Sequence, residues 1–281
     1  MNMIKGMFVS ILPVLGLAMA IYQGYMIYES GWTWTRVGAL LGAMTIALVF
    51  ASIFLVARAR TGANLIGYSL LVGLGIIIAL VGVFVYGEPS TALWSSTLMG
   101  ISWWFYVRWY SIFEQREKST LAVGKKLPAF ELIDEQGQSK TIEDLTSAPR
   151  IWMFYRGNWC PLCMAQIKEV SGLYQEIEKR GAKVALISSQ PHRYIKGLAK
   201  KHKVNFDFLR DQDNEAAKAL GIFAKNGTPT AMVALGYELD TAMPTIFITD
   251  KGGNIVYSDL TDNYRVRPEP QEFLKVLDKV A

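Results

Sequence analysis

This sequence contains few cysteines and histidines, and one part of the chain contains few charged residues. The 281 residues include two cysteines and two histidines. Residues 1–113 contain only five basic and two acidic side chains, whereas the other 168 residues contain 24 and 22. Low-complexity tracts are absent, which excludes disordered and fibrous classes. The net charge of +5 forms no basic stripe, so the sequence gives no indication of nucleic-acid binding. The chain therefore divides into a part suited to lipid and a part suited to water.

Residues 1–113 contain four apolar stretches that predict a bundle of transmembrane helices, because about 20 apolar residues cross the hydrocarbon core of a bilayer. The predicted spans are residues 6–27, 37–57, 65–86 and 91–107. The fourth is short and rich in tryptophan, which also fits an amphipathic helix lying on the membrane surface. Lys5 and the Ala18-Met19-Ala20 triplet resemble a secretory signal peptide, but apolar residues continue to position 27 and favour a first membrane helix. Gly38 and Gly42 have the GxxxG spacing that permits close helix contact.

Basic residues beside the spans predict the orientation. With four spans, Lys5, Arg58, Arg60 and Arg108 flank one side and Arg36 the other, so both termini and the soluble part are expected in the cytoplasm, at the inner membrane if the protein is bacterial. The spans contain no Cys, His, Asp or Lys, and therefore encode no haem ligation, thiol relay or proton path. We interpret residues 1–113 as a membrane anchor or a partner-binding module.

After a charged connector, residues 114–126, the hydrophobic pattern of residues 127–281 predicts one α/β domain. Short apolar runs indicative of strands alternate with amphipathic stretches indicative of helices. Predicted strands cover residues 130–134, 140–142, 151–155, 183–188, 206–209, 245–249 and 255–258. Predicted helices cover residues 161–179, 192–202, 215–220 and 270–280. This alternation predicts a mainly parallel sheet that ends in an antiparallel hairpin.

Both cysteines lie in one CxxC motif, between an apolar strand and a helix. A helix N-terminus stabilises a thiolate, the reactive form of cysteine. Cys160 is placed to act as nucleophile and Cys163, nearly one turn later, as resolving thiol. A structural zinc site would need four ligands, and His192 and His202 lack metal spacing. A structural disulfide closing so small a loop would contribute little stability. Inert buried thiols are a further alternative, and no metal or cofactor is predicted.

Several motifs in their order along the chain carry a family resemblance. They are the segment 127–145, Phe154-Tyr155-Arg156-Gly157-Asn158-Trp159-Cys160-Pro161-Leu162-Cys163, Phe208-Leu209-Arg210-Asp211 and Pro244-Thr245-Ile246-Phe247-Ile248-Thr249-Asp250. Residues 124–281 thereby resemble the peroxiredoxin-like branch of the thioredoxin superfamily, in the alkyl hydroperoxide reductase and thiol-specific antioxidant group. The resemblance implies a thioredoxin-like α/β fold, an attacking Cys160 and a resolving Cys163. It also implies that Pro244 is the cis-proline packed beside the active-site disulfide.

The sequence departs from the family pattern at positions that orient a peroxide. The family's Pro and Thr or Ser, seven and three residues before the attacking cysteine, are here Met153 and Gly157. The family's distant arginine is replaced by the pair Met243-Pro244. Arg156 either supplies a nearby positive charge or is a solvated side chain at a strand end. The candidate site residues are therefore Cys160, Cys163, Trp159, Arg156 and Pro244, and the departures favour thiol–disulfide exchange over peroxide reduction.

Three functions fit this pattern. The first is a membrane-anchored dithiol oxidoreductase that acts on a disulfide or hydroperoxide substrate and is reduced by a thioredoxin or glutathione-type donor. The second is a hydroperoxide reductase that protects lipid with an antioxidant role. The third is a non-catalytic redox sensor, in which the disulfide state changes how the helices contact a membrane partner.

Overall fold

The chain forms two compact units in a computed structural model that describes residues 2–113, 116–202 and 204–280. A helical unit contains residues 7–56 and 61–112. A sheet unit contains residues 2–6, residues 57–60 and the described residues from 113 onward. Glu114, which begins the predicted connector, lies outside the described residues, whereas the backbone N–H of Glu117 bonds the carbonyl of Gly221 in the sheet unit at 3.0 Å.

Four helices form where the sequence predicts spans. They are α1 (Asn2–Ser30), α2 (Trp34–Leu55), α3 (Ile66–Phe84) and α4 (Thr91–Phe105), the last continuing as a π-helical turn over Tyr106–Tyr110. The first three are long and apolar enough to cross a membrane. The fourth has 15 α-helical residues and is shorter, so its crossing stays a prediction.

Glycines bring α2 and α3 of the helical unit into close contact. A Cβ on Gly38 would lie 2.3 Å from the carbonyl oxygen of Gly75, and a Cβ on Gly75 would lie 2.6 Å from that of Gly38. Neither position accepts a side chain at this spacing, as small-residue packing between membrane helices requires. Leu12, Ile46 and Met99 from three different helices are fully buried in the core of this unit.

The sheet unit contains one seven-stranded sheet, one two-stranded sheet and seven helices among its described residues. The strands are β1 (Glu131–Ile133), β2 (Ser139–Thr141), β3 (Arg150–Phe154), β4 (Lys183–Ser188), β5 (Asp207–Arg210), β6 (Phe223–Ala224), β7 (Thr241–Ala242), β8 (Thr245–Thr249) and β9 (Ile255–Asp259). The helices are α5 (Ile142–Leu145), α6 (Pro161–Gly172), α7 (Tyr174–Lys179), α8 (His192–His202), α9 (Glu215–Ala219), α10 (Thr230–Ala234) and α11 (Pro270–Leu277). The large sheet has the order β2-β1-β5-β4-β3-β8-β9.

The predicted parallel character of this sheet is correct only at its centre. Strands β3, β4 and β5 are parallel, connected by helices that cross over the sheet. The hairpin β1–β2 adds to β5 in antiparallel orientation, and β8 runs antiparallel to both β3 and β9. Most strand pairs are therefore antiparallel, because the hairpins extend the sheet on both sides of the parallel core. Parallel β-α-β units followed by an antiparallel hairpin and a terminal helix confirm the expected thioredoxin-like α/β fold.

One predicted helix is divided in the structure. The expected helix over residues 161–179 forms as α6 and α7, which meet at Leu173. Leu173 has φ −98° and ψ 10°, outside the helical region, and follows Gly172, a residue with low helix propensity. The helix that begins at the CxxC motif is therefore 12 residues long.

Candidate active site

The CxxC motif lies in the turn between β3 and α6. All five residues of β3 are buried, and the backbone N–H of Tyr155 extends the pairing to the carbonyl of Ile187 at 2.9 Å. The chain then turns, with the N–H of Cys160 donating to the carbonyl of Gly157 at 3.1 Å. Cys160 is the N-cap of α6, Pro161 occupies the first helical position, and Cys163 lies in the first turn. A Pro at that position is compatible with the helix because its N–H would be unpaired there.

Both cysteines are reduced thiols beneath the surface. Cys160 exposes 3% of its area and Cys163 exposes 1%. The two thiols are hydrogen-bonded to each other, Cys160 donating to Cys163. Both thiols are therefore largely shielded from solvent, and Cys160, at the start of the helix, is slightly the more exposed of the two.

Arg267 is the strongest electrostatic partner of this pair, and the sequence analysis missed it. Its Nη2 donates to Cys163 Sγ at 3.3 Å, its Nη1 to Gln166 Oε1 at 2.7 Å, and its Nε to the carbonyl of Tyr264 at 3.1 Å. The side chain is 92% buried, with 8% exposed. In sequence it lies in the loop between β9 and α11, where an arginine is typically solvated, so no local signal identified it.

The two thiols differ in acidity. Burial raises the pKa of Cys163, but the hydrogen bond from Cys160 and the charge of Arg267 outweigh burial and lower that pKa to about 5. Burial and the hydrogen bond that Cys160 donates raise the pKa of the Cys160 thiol well above its usual value. At neutral pH the pair therefore carries one negative charge and one proton, with the charge on Cys163 beside Arg267.

Arg156 and Trp159, two candidate residues of the sequence analysis, contact each other. Arg156 is buried, so the solvated alternative for this side chain is wrong. Its guanidinium carbon lies 4.7 Å from the centre of the Trp159 ring, and its Nη2 donates to the carbonyl of Gly227. Its positive charge favours the thiolate form of Cys160. The distance to the ring is that of a cation–π contact.

Pro244 follows a trans peptide bond, so the predicted cis-proline is wrong. No cis bond occurs within residues 2–113, 116–202 and 204–280. Trans is the favoured isomer even before proline, and the Met243 carbonyl accepts a hydrogen bond from Thr245 Oγ1 at 2.8 Å. Pro244 lines a water-sized space together with Gln166 and Arg267, the arginine that bonds Cys163. Its own carbonyl accepts from Arg116 Nη2 at 3.1 Å.

Gly157 occupies the position of the family's peroxide-orienting hydroxyl, and its backbone requires glycine. Its φ of +150° is rarely adopted by residues with a side chain. A Cβ built there would lie 2.6 Å from Trp159 Nε1. A threonine or serine therefore cannot occupy this position without moving Trp159, so the missing hydroxyl is a property of the local fold.

A polar network that the sequence analysis also missed holds the turn. Gln190, which follows β4, accepts from the N–H of Asn158 at 2.8 Å and donates to Asn158 Oδ1 and to the Tyr155 hydroxyl, both at 3.0 Å. Asn158 Nδ2 also donates to the carbonyl of Tyr194 at 3.1 Å. The available signal was only that Tyr155 and Asn158 lie inside the resemblance motif. The network therefore holds the turn before Cys160 to the segment that follows β4.

Part of the chain is similar to known proteins. Residues 123–258 match the AhpC/TSA family. Peroxiredoxin Q, chloroplastic, of Sedum lineare is 30% identical over 99 residues, covering 35% of this chain and 53% of that protein. The thiol-disulfide oxidoreductase ResA of Geobacillus thermodenitrificans is 22% identical over 140 residues, covering 50% of this chain and 70% of that protein.

A solved structure, peroxidoxin BcpB from Mycobacterium tuberculosis, aligns with a TM-score of 0.47 at 19% identity, covering 57% of this chain and 97% of that one. This chain spans about half the length of the peroxiredoxin Q relative. The family match contains both cysteines and every strand from β1 to β8. Residues 123–258 are therefore the part of the chain that is similar to the AhpC/TSA family.

Proposed function

We propose that this protein is a membrane-anchored thiol–disulfide oxidoreductase that uses Cys160 and Cys163 as its redox couple. The contact of Arg267 with Cys163 carries the proposal, because a buried guanidinium holds a thiolate ready at neutral pH. Inert buried thiols have no such partner, since apolar burial alone raises the pKa of a cysteine. The similarity to a thiol-disulfide oxidoreductase supports the same reading.

The reaction moves the single proton of the thiol pair from one sulfur atom to the next. Cys160 sulfur attacks one sulfur of a substrate disulfide while its proton passes along the hydrogen bond to Cys163. This forms a mixed disulfide on Cys160 and releases the other substrate sulfur as a thiolate. The released substrate thiolate then takes this proton from Cys163. The Cys163 thiolate attacks Cys160 sulfur, which closes the internal disulfide and releases the second substrate sulfur as a thiolate. Two electrons pass to the substrate, and a thioredoxin or glutathione-type thiol restores the dithiol.

Hydroperoxide reduction is the second candidate, favoured by the match to the AhpC/TSA family. Gly157 counts against it, because no hydroxyl is available three residues before Cys160 to orient a peroxide. We expect the reduced protein to react with hydrogen peroxide or a lipid hydroperoxide no faster than a free thiol.

We also expect Gly157→Thr to give no gain in this rate and to lower the free energy of unfolding by about 1–3 kcal/mol, because the new side chain is strained and displaces Trp159.

Stopped-flow oxidation of the full chain in detergent, followed by tryptophan fluorescence, measures the rate. Gly172→Ala is the matched control, since nothing lies within 4 Å of a Cβ at that helical glycine. A rate for the unmodified protein well above that of a free thiol would establish the peroxidase instead.

Residues of the sheet unit support a four-span topology. Residues 2–6, at the start of α1, and residues 57–60, after α2, belong to the same compact unit as the domain that follows α4. Within this unit, Arg60 forms ion pairs with Glu169 and with Glu269, the latter at 2.8 Å. If α1, α2 and α3 each cross the membrane, the chain returns to the side of the domain only when α4 crosses as well. We propose four crossings, with the domain in the cytoplasm as the flanking basic residues predict.

Single cysteines in a Cys160→Ser, Cys163→Ser background test this topology. We expect Asn64→Cys and Lys251→Cys to react with an impermeant maleimide only after the cells are permeabilised, and Ser90→Cys to react in intact cells. All three positions are exposed, so access depends on the membrane. Labelling of positions 90 and 251 from one side would show that α4 does not cross, and labelling of position 251 in intact cells would reverse the orientation.

A further inference from the structure

A cavity of about 330 Å³ lies at the carboxyl ends of β4 and β5, on the same edge of the sheet as the CxxC turn. It is lined by Ser189, Arg210, Asp213, Asn214, Lys218, Glu238, Leu239 and Asp240. Its volume lies at the lower end of the range for small-molecule sites, and the carboxyl edge of parallel strands is where such sites form in α/β folds. The reaction proposed above uses none of these residues.

Two polar atoms of the cavity lining lack a partner. Asn214 exposes 5% of its area, and its Oδ1 accepts no hydrogen bond from any residue that the structure describes. Arg210 Nε is likewise buried without an acceptor in the described chain. Unpaired buried polar atoms are costly, so a ligand that supplies one donor and one acceptor would be stabilised here.

The charges around the cavity specify that ligand further. Arg210 Nη2 lies 3.8 Å from Glu238 Oε1, a long ion pair that leaves the Arg210 Nε without an acceptor. Asp213, Glu238 and Asp240 add three carboxylates to the cavity lining, against the two cations Arg210 and Lys218. A carboxylate on Arg210 and an ammonium group on Asn214 and its acidic neighbours would satisfy both atoms. An α-amino-acid group carries both functions on one carbon.

The cavity is connected to the thiols through two short segments. Ser189 precedes Gln190, whose side chain holds Asn158, two residues before Cys160. Asp240, whose carbonyl accepts from Ser189 Oγ at 3.3 Å, precedes Thr241, whose hydroxyl donates to the carbonyl of Arg156 at 2.9 Å. The residues that follow Ser189 and Asp240 of the cavity lining, Gln190 and Thr241, therefore bond the turn that leads to Cys160.

We propose that this cavity binds the zwitterionic α-amino-acid end of a low-molecular-weight peptide thiol, which reduces the Cys160–Cys163 disulfide. This inference rests on the proposed redox function. The bound thiolate attacks Cys160 sulfur, forms a mixed disulfide and leaves Cys163 as a thiolate beside Arg267. A second thiol molecule attacks the bound one, so two thiols become one disulfide, and their two electrons and one of their protons restore the reduced pair.

Asn214→Gly and Arg210→Lys test the cavity in the full chain in detergent, with glutathione as the probe thiol. Asn214 has φ +57°, so glycine removes the amide without straining the backbone, and lysine keeps the charge of Arg210 but removes its Nε–H. We expect each variant to slow reduction of the internal disulfide by glutathione about tenfold, the effect of one charge-assisted hydrogen bond. Reduction by dithiothreitol, which has no amino-acid group, should be unchanged. Asn226→Gly is the matched control, an asparagine with φ +52° outside the cavity lining.

S-methylglutathione has a blocked sulfur and cannot undergo thiol–disulfide exchange. Its binding therefore tests the cavity independently of the redox reaction. We expect calorimetry to detect this binding in the unmodified protein and to lose it in Asn214→Gly. Unchanged glutathione kinetics in both variants, or equal slowing with dithiothreitol, would overturn the site and leave the redox function standing. Failure of both thiols to reduce the protein, with S-methylglutathione still bound, would overturn the redox function but support the site.

Discussion

Replacing Cys160 with serine is expected to reduce disulfide exchange to the level of the variant that lacks both cysteines. The reaction begins with Cys160 because this thiol lies at the start of α6, nearer the surface than Cys163. A serine hydroxyl does not attack a disulfide under these conditions, so no intermediate forms. Reduction of a small disulfide substrate by the full chain, followed with an excess of dithiothreitol, measures the loss.

The matched variant Cys163→Ser is expected to behave differently, because it retains the attacking sulfur. It should accumulate a mixed disulfide between Cys160 and substrate, which non-reducing electrophoresis and mass spectrometry identify. Its first step should also slow at neutral pH, since serine cannot take the proton of Cys160 as the Cys163 thiolate does. If Cys160→Ser traps the substrate instead, Cys163 is the attacking residue, and the thiolate that Arg267 stabilises is itself the nucleophile.

Local pattern predicted most of this fold. Apolar runs and amphipathic spacing placed the seven strands of the large sheet and the helix that begins at Pro161, because burial on both faces of a central strand leaves a continuous apolar signature. Apart from the closing hairpin of β8 and β9, which was predicted as antiparallel, the pattern contains no information on how strands pair. The antiparallel direction of β8 against β3 depends on contacts between residues about 95 positions apart, such as Met153 with Ile246. The sheet was therefore predicted strand by strand but not pair by pair.

The residues of the candidate site likewise differ in whether local sequence predicted them. Cys160, Cys163, Trp159 and Arg156 were predicted because they are neighbours in sequence as well as in space. Arg267 was missed because its contact with Cys163 joins residues 104 positions apart and its own segment has no regular pattern. The short β6–β7 sheet was missed for a related reason, since two-residue strands have no measurable periodicity.

Arg267→Met is expected to raise the pKa of Cys163 from about 5 toward the ordinary thiol range. The substitution keeps an unbranched side chain but removes both the charge and the hydrogen bond to the sulfur, so burial is then opposed mainly by the hydrogen bonds from Cys160 and from the Arg156 backbone. At pH 7 less of the pair is ionised, so exchange should slow at least about tenfold. Thiolate absorbance at 240 nm as a function of pH measures the shift, with Arg150→Met as the control, because Arg150 is a buried arginine that bonds the Leu145 carbonyl and Asp207.

Protein stability should report the same ionisation. The folded pKa of Cys163 is depressed, so between about pH 5 and pH 9 the folded protein holds fewer protons than the unfolded chain, and stability rises with pH in that window. Relative to the unmodified reduced protein, Arg267→Met should lose this rise. A parallel pH dependence of unfolding in the two proteins would show that Arg267 packs against the sulfur without stabilising its charge.

The same charge determines the redox direction. A stabilised thiolate favours the reduced dithiol and therefore makes the disulfide a stronger oxidant, the trend that separates thioredoxin at about −270 mV from DsbA at about −120 mV. We expect the reduction potential of the Cys160–Cys163 couple to lie above that of thioredoxin and to fall in Arg267→Met, as measured by equilibration with defined ratios of reduced and oxidised glutathione. Arg267→Lys, which keeps the charge but not the three-sided hydrogen bonding, should give an intermediate value. An unchanged potential in both variants would mean that Arg267 stabilises the oxidised and reduced forms equally, and the preference for one redox direction would then have to come from the start of α6 alone.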